Sequence, residues 1–362
     1  MKPVNQQQIK DLNMKRLYAS IYSTPGISRA ELAKRTKLSK TTVSTLVDEL
    51  IERAFIQDNG IVESTALGRR PNSLHIRRNS HYIVVFNWYE SQIYTHLVDI
   101  AGTSVFQEVR VLSKGGSYVS ASQESFQEVV SAHCSPDEIL GICIVVSAMI
   151  DEKRKEIYST TIRLPEMEGA QLFASLKDAF PGYPVDLLND TACYSYAEKV
   201  YGSITEKNFA FINFGNRGCL EALISEPKLK ERIAEFGEIP SLSSRSQITF
   251  SDLGKAATFR DPVALSMVDE IARELSLALG NLICMDSPSL IILGGKIPDL
   301  GEYFLEQVRE NLKKTGFRRM VDNVQIRYSR LQSDSFLNGA MKYFFDIHYS
   351  FTDENPSGFF IG

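Results

Sequence analysis

The sequence predicts a multidomain chain: an N-terminal winged helix-turn-helix of α+β type, followed by a two-lobed α/β body. Three observations carry this. The stretch from Ser28 to Arg53 reads as two capped helices joined by a tight turn. From Tyr82 onward, short apolar strands alternate with longer helical segments, the texture of α/β lobes. The charge is also split. Residues 1–81 hold 14 Lys and Arg against 7 Asp and Glu, a net of +7, while the 362-residue chain carries −4 and the remainder therefore −11. A basic head on an acidic body is the distribution expected when only the head meets a polyanion.

The head can be taken element by element. Ile9, Leu12, Leu17 and Ile21 recur at helical spacing, and Pro25-Gly26 ends that first helix. Ser28 and Glu31 form a capping box, which predicts a second helix with Leu32 and Ala33 on its apolar face. Lys37-Leu38 breaks it, with Leu38 in the turn. Ser39 caps a third helix whose buried face is Val43, Leu46, Val47 and Leu50. Between these lie Lys40, Thr41, Thr42, Ser44 and Thr45, which are short, hydroxylated or basic. Such a face enters a major groove without repelling phosphates. The expected DNA-binding residues are therefore Arg29, Ser39, Lys40, Thr41, Thr42, Ser44 and Thr45. Asn59-Gly60 predicts a hairpin turn between Phe55–Gln57 and Ile61-Val62, with a strand resuming at Asn72–Ile76. In Gly68-Arg69-Arg70-Pro71 two arginines sit in an extended segment suited to a minor groove, which adds Arg69 and Arg70 to the DNA-binding set. The head, residues 1–80, is expected to bind duplex DNA in a salt-dependent way as an isolated fragment.

In the body, Tyr82–Trp88, Gln92–Asp99 and Thr103–Phe106 read as a three-stranded meander. A helix over about Ser122–Ala132 leads to the continuous apolar run Ile139–Val146, the pattern of a strand buried on both faces. Pro184–Asp190 is a short strand ending in two polar residues. A second round begins at Phe209–Gly215 and runs through a long helix at Pro262–Met285 and the strand Leu290–Gly295. It closes with helices at Leu300–Thr315 and Ser335–Phe345. The expected division is a first lobe over residues 81–190, completed by a C-terminal helix over 333–346, and a second lobe over 191–332 that carries the dimerisation helices. An apolar share of 43% with 23% charged residues fits a globular chain, and no apolar run is long enough to span a bilayer. Cys134, Cys143, Cys193, Cys219 and Cys284 are scattered singly, without a CxxC pair. With no apolar signal core at the N-terminus, they point to a reduced, cytoplasmic chain.

In order and spacing, Ile27–Ala33, Gly68–Pro71, Leu187-Leu188-Asn189-Asp190-Thr191-Ala192, Leu290–Gly295 and Leu337-Asn338-Gly339-Ala340 resemble the ROK family of bacterial repressors and sugar kinases. The resemblance covers nearly the whole chain. It implies an actin-like, ribonuclease-H-like pair of lobes behind the winged helix. Two departures matter. The family's kinases wrap phosphate with Asp-x-Gly-Gly-Thr, a place that here reads Asn87-Trp88-Tyr89-Glu90-Ser91, without glycine and with an acid that repels phosphate. Their second loop, Gly-Thr-Gly-x-Gly, is only partly kept as Gly215-Asn216-Arg217-Gly218-Cys219. ATP is therefore not expected as a cofactor, and the Gly294-Gly295 pair reads as a tight turn. The family's cysteine knuckle and histidine are missing after Gly237-Glu238-Ile239-Pro240-Ser241, so no zinc is expected.

The resemblance implies that Asp190 and Glu238 occupy sugar-contacting positions, with Asn189 beside them. Carboxylates suit this because each accepts hydrogen bonds from neighbouring hydroxyls. Asn189 and Asp190 could equally serve only to cap the helix that follows. The resulting expectation is a non-enzymatic, homo-oligomeric repressor of carbohydrate-utilisation genes. Its partners would be operator DNA and a sugar or sugar phosphate held between the lobes, with no membrane. Two other readings are a sugar kinase with a DNA-binding head and a repressor controlled by a protein partner, its cleft vestigial.

Overall fold

The computed structural model describes residues 6–61, 72–151, 156–160, 164, 172–213, 224, 226–243, 245, 247–332 and 334–352. The head comprises helices α1 (Gln6–Ser23), α2 (Arg29–Thr36) and α3 (Lys40–Glu52), then strands β1 (Ile56–Ile61) and β2 (Asn72–Ile76). The face of α1 that packs inward is Met14, Leu17, Tyr18 and Ile21, an i, i+3, i+4, i+7 stripe. Ile9 and Leu12, expected on that face, are about half exposed, at 48% and 49%.

The hairpin turn expected at Asn59-Gly60 is not there. β1 runs straight through both residues and pairs antiparallel with β2, with a register shift between Asp58 and Ile61. Gly60 alone takes a left-handed φ of 77°, and its N–H donates to the Asp58 side chain at 3.1 Å. A single left-handed glycine makes a bulge, whereas the two-residue turn needs positive φ at both positions. The connection between β1 and β2, with Arg69 and Arg70, lies outside the described residues.

The first lobe is a five-stranded sheet in the order β5-β4-β3-β6-β9. Its strands are β3 (Tyr82–Tyr89), β4 (Gln92–Asp99), β5 (Ser104–Val111), β6 (Ile139–Val146) and β9 (Val185–Asn189). A small hairpin, β7 (Ala148–Asp151) and β8 (Glu156–Thr160), stands apart. β4 and β5 pair antiparallel as the expected meander, while β6 and β9 join parallel to β3. Alternation along β3 sorts the core into two faces. Val84, Phe86 and Trp88 face helices α4 (Tyr118–His133) and α5 (Leu172–Ala179). Ile83 and Val85 face Cys193 of α6 (Asp190–Tyr201) and the closing helix Ser335–Tyr343. Helix α6, expected to open the second lobe, thus packs under the first-lobe sheet. The reason is the crossing at Gly339, where any β-carbon would overlap the carbonyl oxygen of Cys193.

Among the described residues the second lobe has three parallel strands, β10 (Phe209–Ile212), β11 (Leu290–Leu293) and β12 (Gln325–Tyr328), in that order. The residues after Ile212 that would supply a second meander, 214–223, lie outside the description. Helices Pro262–Asp286 and Gly301–Thr315 pack together over this sheet, with Met267, Ile271, Leu275, Phe304 and Val308 all buried.

Head and body share one core. Ile100, Phe345 and Phe351 of the body pack among Tyr18, Leu50 and Phe55 of the head. Tyr18 donates its hydroxyl to the Ile100 carbonyl at 2.8 Å, and Phe55 stacks on His81 at 4.2 Å. Arg53 donates to the Phe351 carbonyl and to the Tyr349 hydroxyl, and Asp11 accepts the Phe351 N–H at 2.6 Å. An isolated 1–80 fragment would lose the body's side of the packing around Tyr18 and Phe55. Burial in this seam pushes the His81 imidazole down to about 4, helped by Arg53 and opposed by Glu138. The unfolded chain takes up that proton near 6.5. His81 therefore contributes stability in full above that pH and loses it as the pH falls toward 4. His81→Phe keeps the stack and removes the titration. The melting temperature of this variant should fall less steeply than the parent's between pH 6.5 and 4. Equal acid slopes would contradict a buried neutral imidazole.

Candidate functional site: the head surface and the interlobe cleft

The helix-turn-helix is built from its caps. Ser28 and Glu31 close the predicted capping box, the Ser28 N–H donating to the Glu31 carboxylate at 3.0 Å and the Glu31 N–H to Ser28 Oγ at 3.2 Å. Lys37 turns the chain with a left-handed φ of 59°. Ser39 Oγ accepts the Thr42 N–H at 3.0 Å and bonds the Thr42 hydroxyl at 2.8 Å. Val43, Leu46, Val47 and Leu50 are buried as expected. Lys40, Thr41 and Thr45 are exposed on the opposite side with Ser39, and Thr42 and Ser44 are half-buried.

Five of the expected DNA-binding residues, Arg29, Ser39, Thr42, Ser44 and Thr45, make bonds inside the head. Arg29 reaches across to α3, donating to Ser44 Oγ at 3.1 Å and pairing with Asp48 at 2.7 Å. It ties the two helices of the motif together. Ser39 and Thr42 spend hydrogen-bonding capacity on the α3 cap, and Thr45 donates to the Thr41 carbonyl at 3.1 Å. Lys40 and Thr41 are exposed at the start of α3.

Between the lobes lies a cavity of about 280 Å³. Asn87, Trp88 and Tyr89 from the end of β3, Tyr94 from β4, and Asp190 and Tyr194 from α6 line one side. Asn213 after β10, Glu226, Phe250, Gly295 and Lys296 line the other, with Phe336 of the closing helix between. The carboxyl ends of β3, β10 and β11 all point here, where open α/β sheets place their ligands.

Asp190 accepts the Thr191 N–H at 2.7 Å, and Asn213 of the second lobe donates to the Thr191 hydroxyl at 3.2 Å. Asn189 is the N-cap of α6. Its Oδ1 accepts the Ala192 N–H at 2.8 Å and its Nδ2 donates to the Ala148 carbonyl at 2.7 Å. Asn189 therefore holds the helix, and Asp190 is the member of the pair that faces the cavity. Glu238 is not part of this site. It is exposed and borders a separate hollow with Lys230, Ile233 and Arg245.

Sequence reasoning missed Asn213, Glu226, Lys296 and the three tyrosines. The pattern Leu290–Gly295 pointed to the right turn but not to the lysine after it. Lys296 pairs with Glu226 at 2.7 Å. Burial works against its charge, but the bond to Glu226, with Tyr89 and Glu90 nearby, holds the ammonium above its ordinary range. Burial, reinforced by Asp190, pushes the Tyr194 hydroxyl up, so it stays protonated.

The glycine pair is explained by packing. A side chain at Gly294 would overlap Phe211, and one at Gly295, where φ is 58°, would overlap Asn213. At the other wall, β3 and β4 meet in a two-residue hairpin with positive φ at Glu90 and Ser91. The Ser91 N–H donates to the Tyr118 hydroxyl at 2.9 Å. Trp88 is fully buried, its Nε1 donating to Ser122 Oγ at 3.0 Å. Residues 215–219 lie outside the described set. Among the described residues no three His, Cys, Asp or Glu side chains cluster as metal ligands, and no helix is long and apolar enough to cross a membrane.

Residues 10–57 match the winged helix-turn-helix DNA-binding family and residues 212–346 match the ROK family. A putative xylose repressor from Caldicellulosiruptor sp. (strain Rt8B.4) is 25% identical over 93% of this chain and 96% of its own length. The xylose repressor of Bacillus subtilis (strain 168) is 22% identical over 90% of this chain and 93% of its own. The crystal structure of a ROK family transcriptional regulator, a homologue of the E. coli Mlc protein, superposes with a TM-score of 0.75. It covers 93% of this chain and 97% of its own at 19% identity.

Proposed function

The chain carries a ROK family domain behind an N-terminal winged helix-turn-helix, and from that premise we propose that it is a DNA-binding transcriptional repressor of sugar-utilisation genes, controlled by an uncharged sugar in the interlobe cleft. The observation that carries the reading is the composition of that cleft. Asp190, Asn87 and Asn213 offer acceptors and donors around tyrosine and phenylalanine faces, the mixture that binds a polyol edge-on and face-on. Its fixed charges favour a neutral guest. Asp190 and Glu226 line it, Glu90 lies nearby, and Lys296 is already paired with Glu226. A sugar phosphate would meet more carboxylate than ammonium.

Binding without phosphoryl transfer is supported by the β3–β4 hairpin. It is tight, lacks glycine, carries Glu90, and spends the Ser91 N–H on Tyr118. A phosphate cradle needs such amides free. The relatives named xylose repressors make D-xylose the first sugar to try. The reading takes the protein to be cytoplasmic and homodimeric, two heads reading a near-palindromic operator at the spacing the bodies impose.

Asp190→Asn tests the cleft. The change is nearly isosteric, so the α6 cap at Asn189 survives. Loss of a charge-assisted hydrogen bond should weaken the sugar by roughly 1.5–3 kcal/mol, tenfold or more in affinity. DNA affinity without sugar should be unchanged. Release of DNA by the same sugar concentration in variant and parent would contradict the assignment.

The head is tested with the full chain and a duplex selected by it from a random library. Affinity should fall steeply with salt as phosphates recover their counterions. Lys40→Ala should make the salt slope shallower by about one phosphate contact. A slope identical to the parent's would remove Lys40 from the interface.

A further inference from the structure

We propose that helix α6 is the rod that carries the state of the cleft to the head, and that the Tyr201–Tyr22 hydroxyl pair is its head-side coupling. The proposal rests on the sugar-cleft reading for the identity of the signal, but not for the mechanics. Α-helical geometry makes α6 about 18 Å long, and its two ends touch different functional parts. At its N-terminus Asp190 and Tyr194 line the cavity, and the Thr191 hydroxyl takes the Asn213 side chain of the second lobe. At its C-terminus Tyr201 and Tyr22 of α1 share a hydrogen bond at 2.8 Å. Tyr22 gives its own proton to the Ala101 carbonyl at 3.1 Å, so Tyr201 is the donor in the pair.

Between these ends α6 belongs to both lobes. One face packs on the closing helix and the first-lobe sheet. On another, Glu198 is 1% exposed, accepts the Ser329 hydroxyl and faces the Arg327 guanidinium of β12 at 3.5 Å. A buried carboxylate cannot be left without its partner, so a shift of the second lobe draws α6 with it. A parallel link runs from Tyr196 to Asp346 at 2.8 Å, and the Asp346 carbonyl takes the Lys15 ammonium of α1 at 3.3 Å. Every lobe movement that changes the cleft must therefore either move α1 or break these bonds.

Hydrogen–deuterium exchange of the full chain tests this without DNA. Thr191→Val removes the cleft-end bond to Asn213 and the long hydroxyl contact to Asp190 at 3.3 Å, while the Thr191 N–H bond to Asp190 and the Asn189 cap remain. It should raise exchange of α1 amides 18–23 several-fold. Added to Tyr201→Phe, which removes only the coupling hydroxyl, Thr191→Val should change those amides no further. Unaltered α1 exchange in Thr191→Val, or an equal increase in both backgrounds, would overturn the proposal. D-xylose supplies a second arm. Protection of residues 87–94 together with changed α1 exchange supports the rod. Protection of 87–94 with α1 unaffected overturns the coupling and spares the cleft reading. No protection at 87–94 counts against D-xylose in the cleft, and the Thr191→Val arm still decides the coupling.

Discussion

At Gly339 a β-carbon would overlap the carbonyl oxygen of Cys193, so α6 and the closing helix cross only because that position has no side chain. The rest of the molecule depends on this close approach. It seals the underside of the first-lobe sheet with Cys193, Ala340 and Met341 against Ile83, Val85 and Cys143. It places Asp190 at the mouth of the cleft and Phe336 beside it. It also sets where the chain goes after residue 343. The π-helical turn Phe344–His348 then delivers Phe345 and Phe351 into the head, which they join to the body.

That delivery gives the head–body junction its character. A tether of two domains would let the head orient freely, whereas here aromatic rings from α1, the residue before β1 and the C-terminal segment interlock. Tyr18 and Phe345 lie 4.5 Å apart, and Phe55 and Phe351 5.0 Å. Around them run directional bonds from Asp11, Arg53 and Tyr22. Apolar packing resists separation and the hydrogen bonds fix the orientation of the head on the body.

Local features were readable in the sequence, and long-range ones were not. The capping box at Ser28–Glu31, the α3 cap at Ser39 and the alternation along β3 depend on residues a few positions apart, and each formed as the pattern required. Asn59-Gly60 misled because the same dipeptide serves a bulge when Asp58 engages the Gly60 N–H. The shared core was invisible, since Tyr18 and Phe345 are separated by most of the chain and neither carries a periodic signal toward the other. The packing of helix α6 under the first-lobe sheet was hidden for the same reason, its partner Gly339 lying far downstream. In the cleft, the polar pair after β9 was legible, but its division of labour was not. Only the geometry separates Asn189, which caps, from Asp190, which faces the cavity, and sets Glu238 apart from both.

The central claim is that cleft and head are energetically linked through one body. The decisive measurement is the D-xylose affinity, read by calorimetry, with and without saturating operator duplex, set beside the operator affinity with and without saturating sugar. Linkage requires the two ratios to be equal, and the account predicts a common factor well above one. A sugar affinity that is the same on and off DNA would show that the cleft and the head do not communicate.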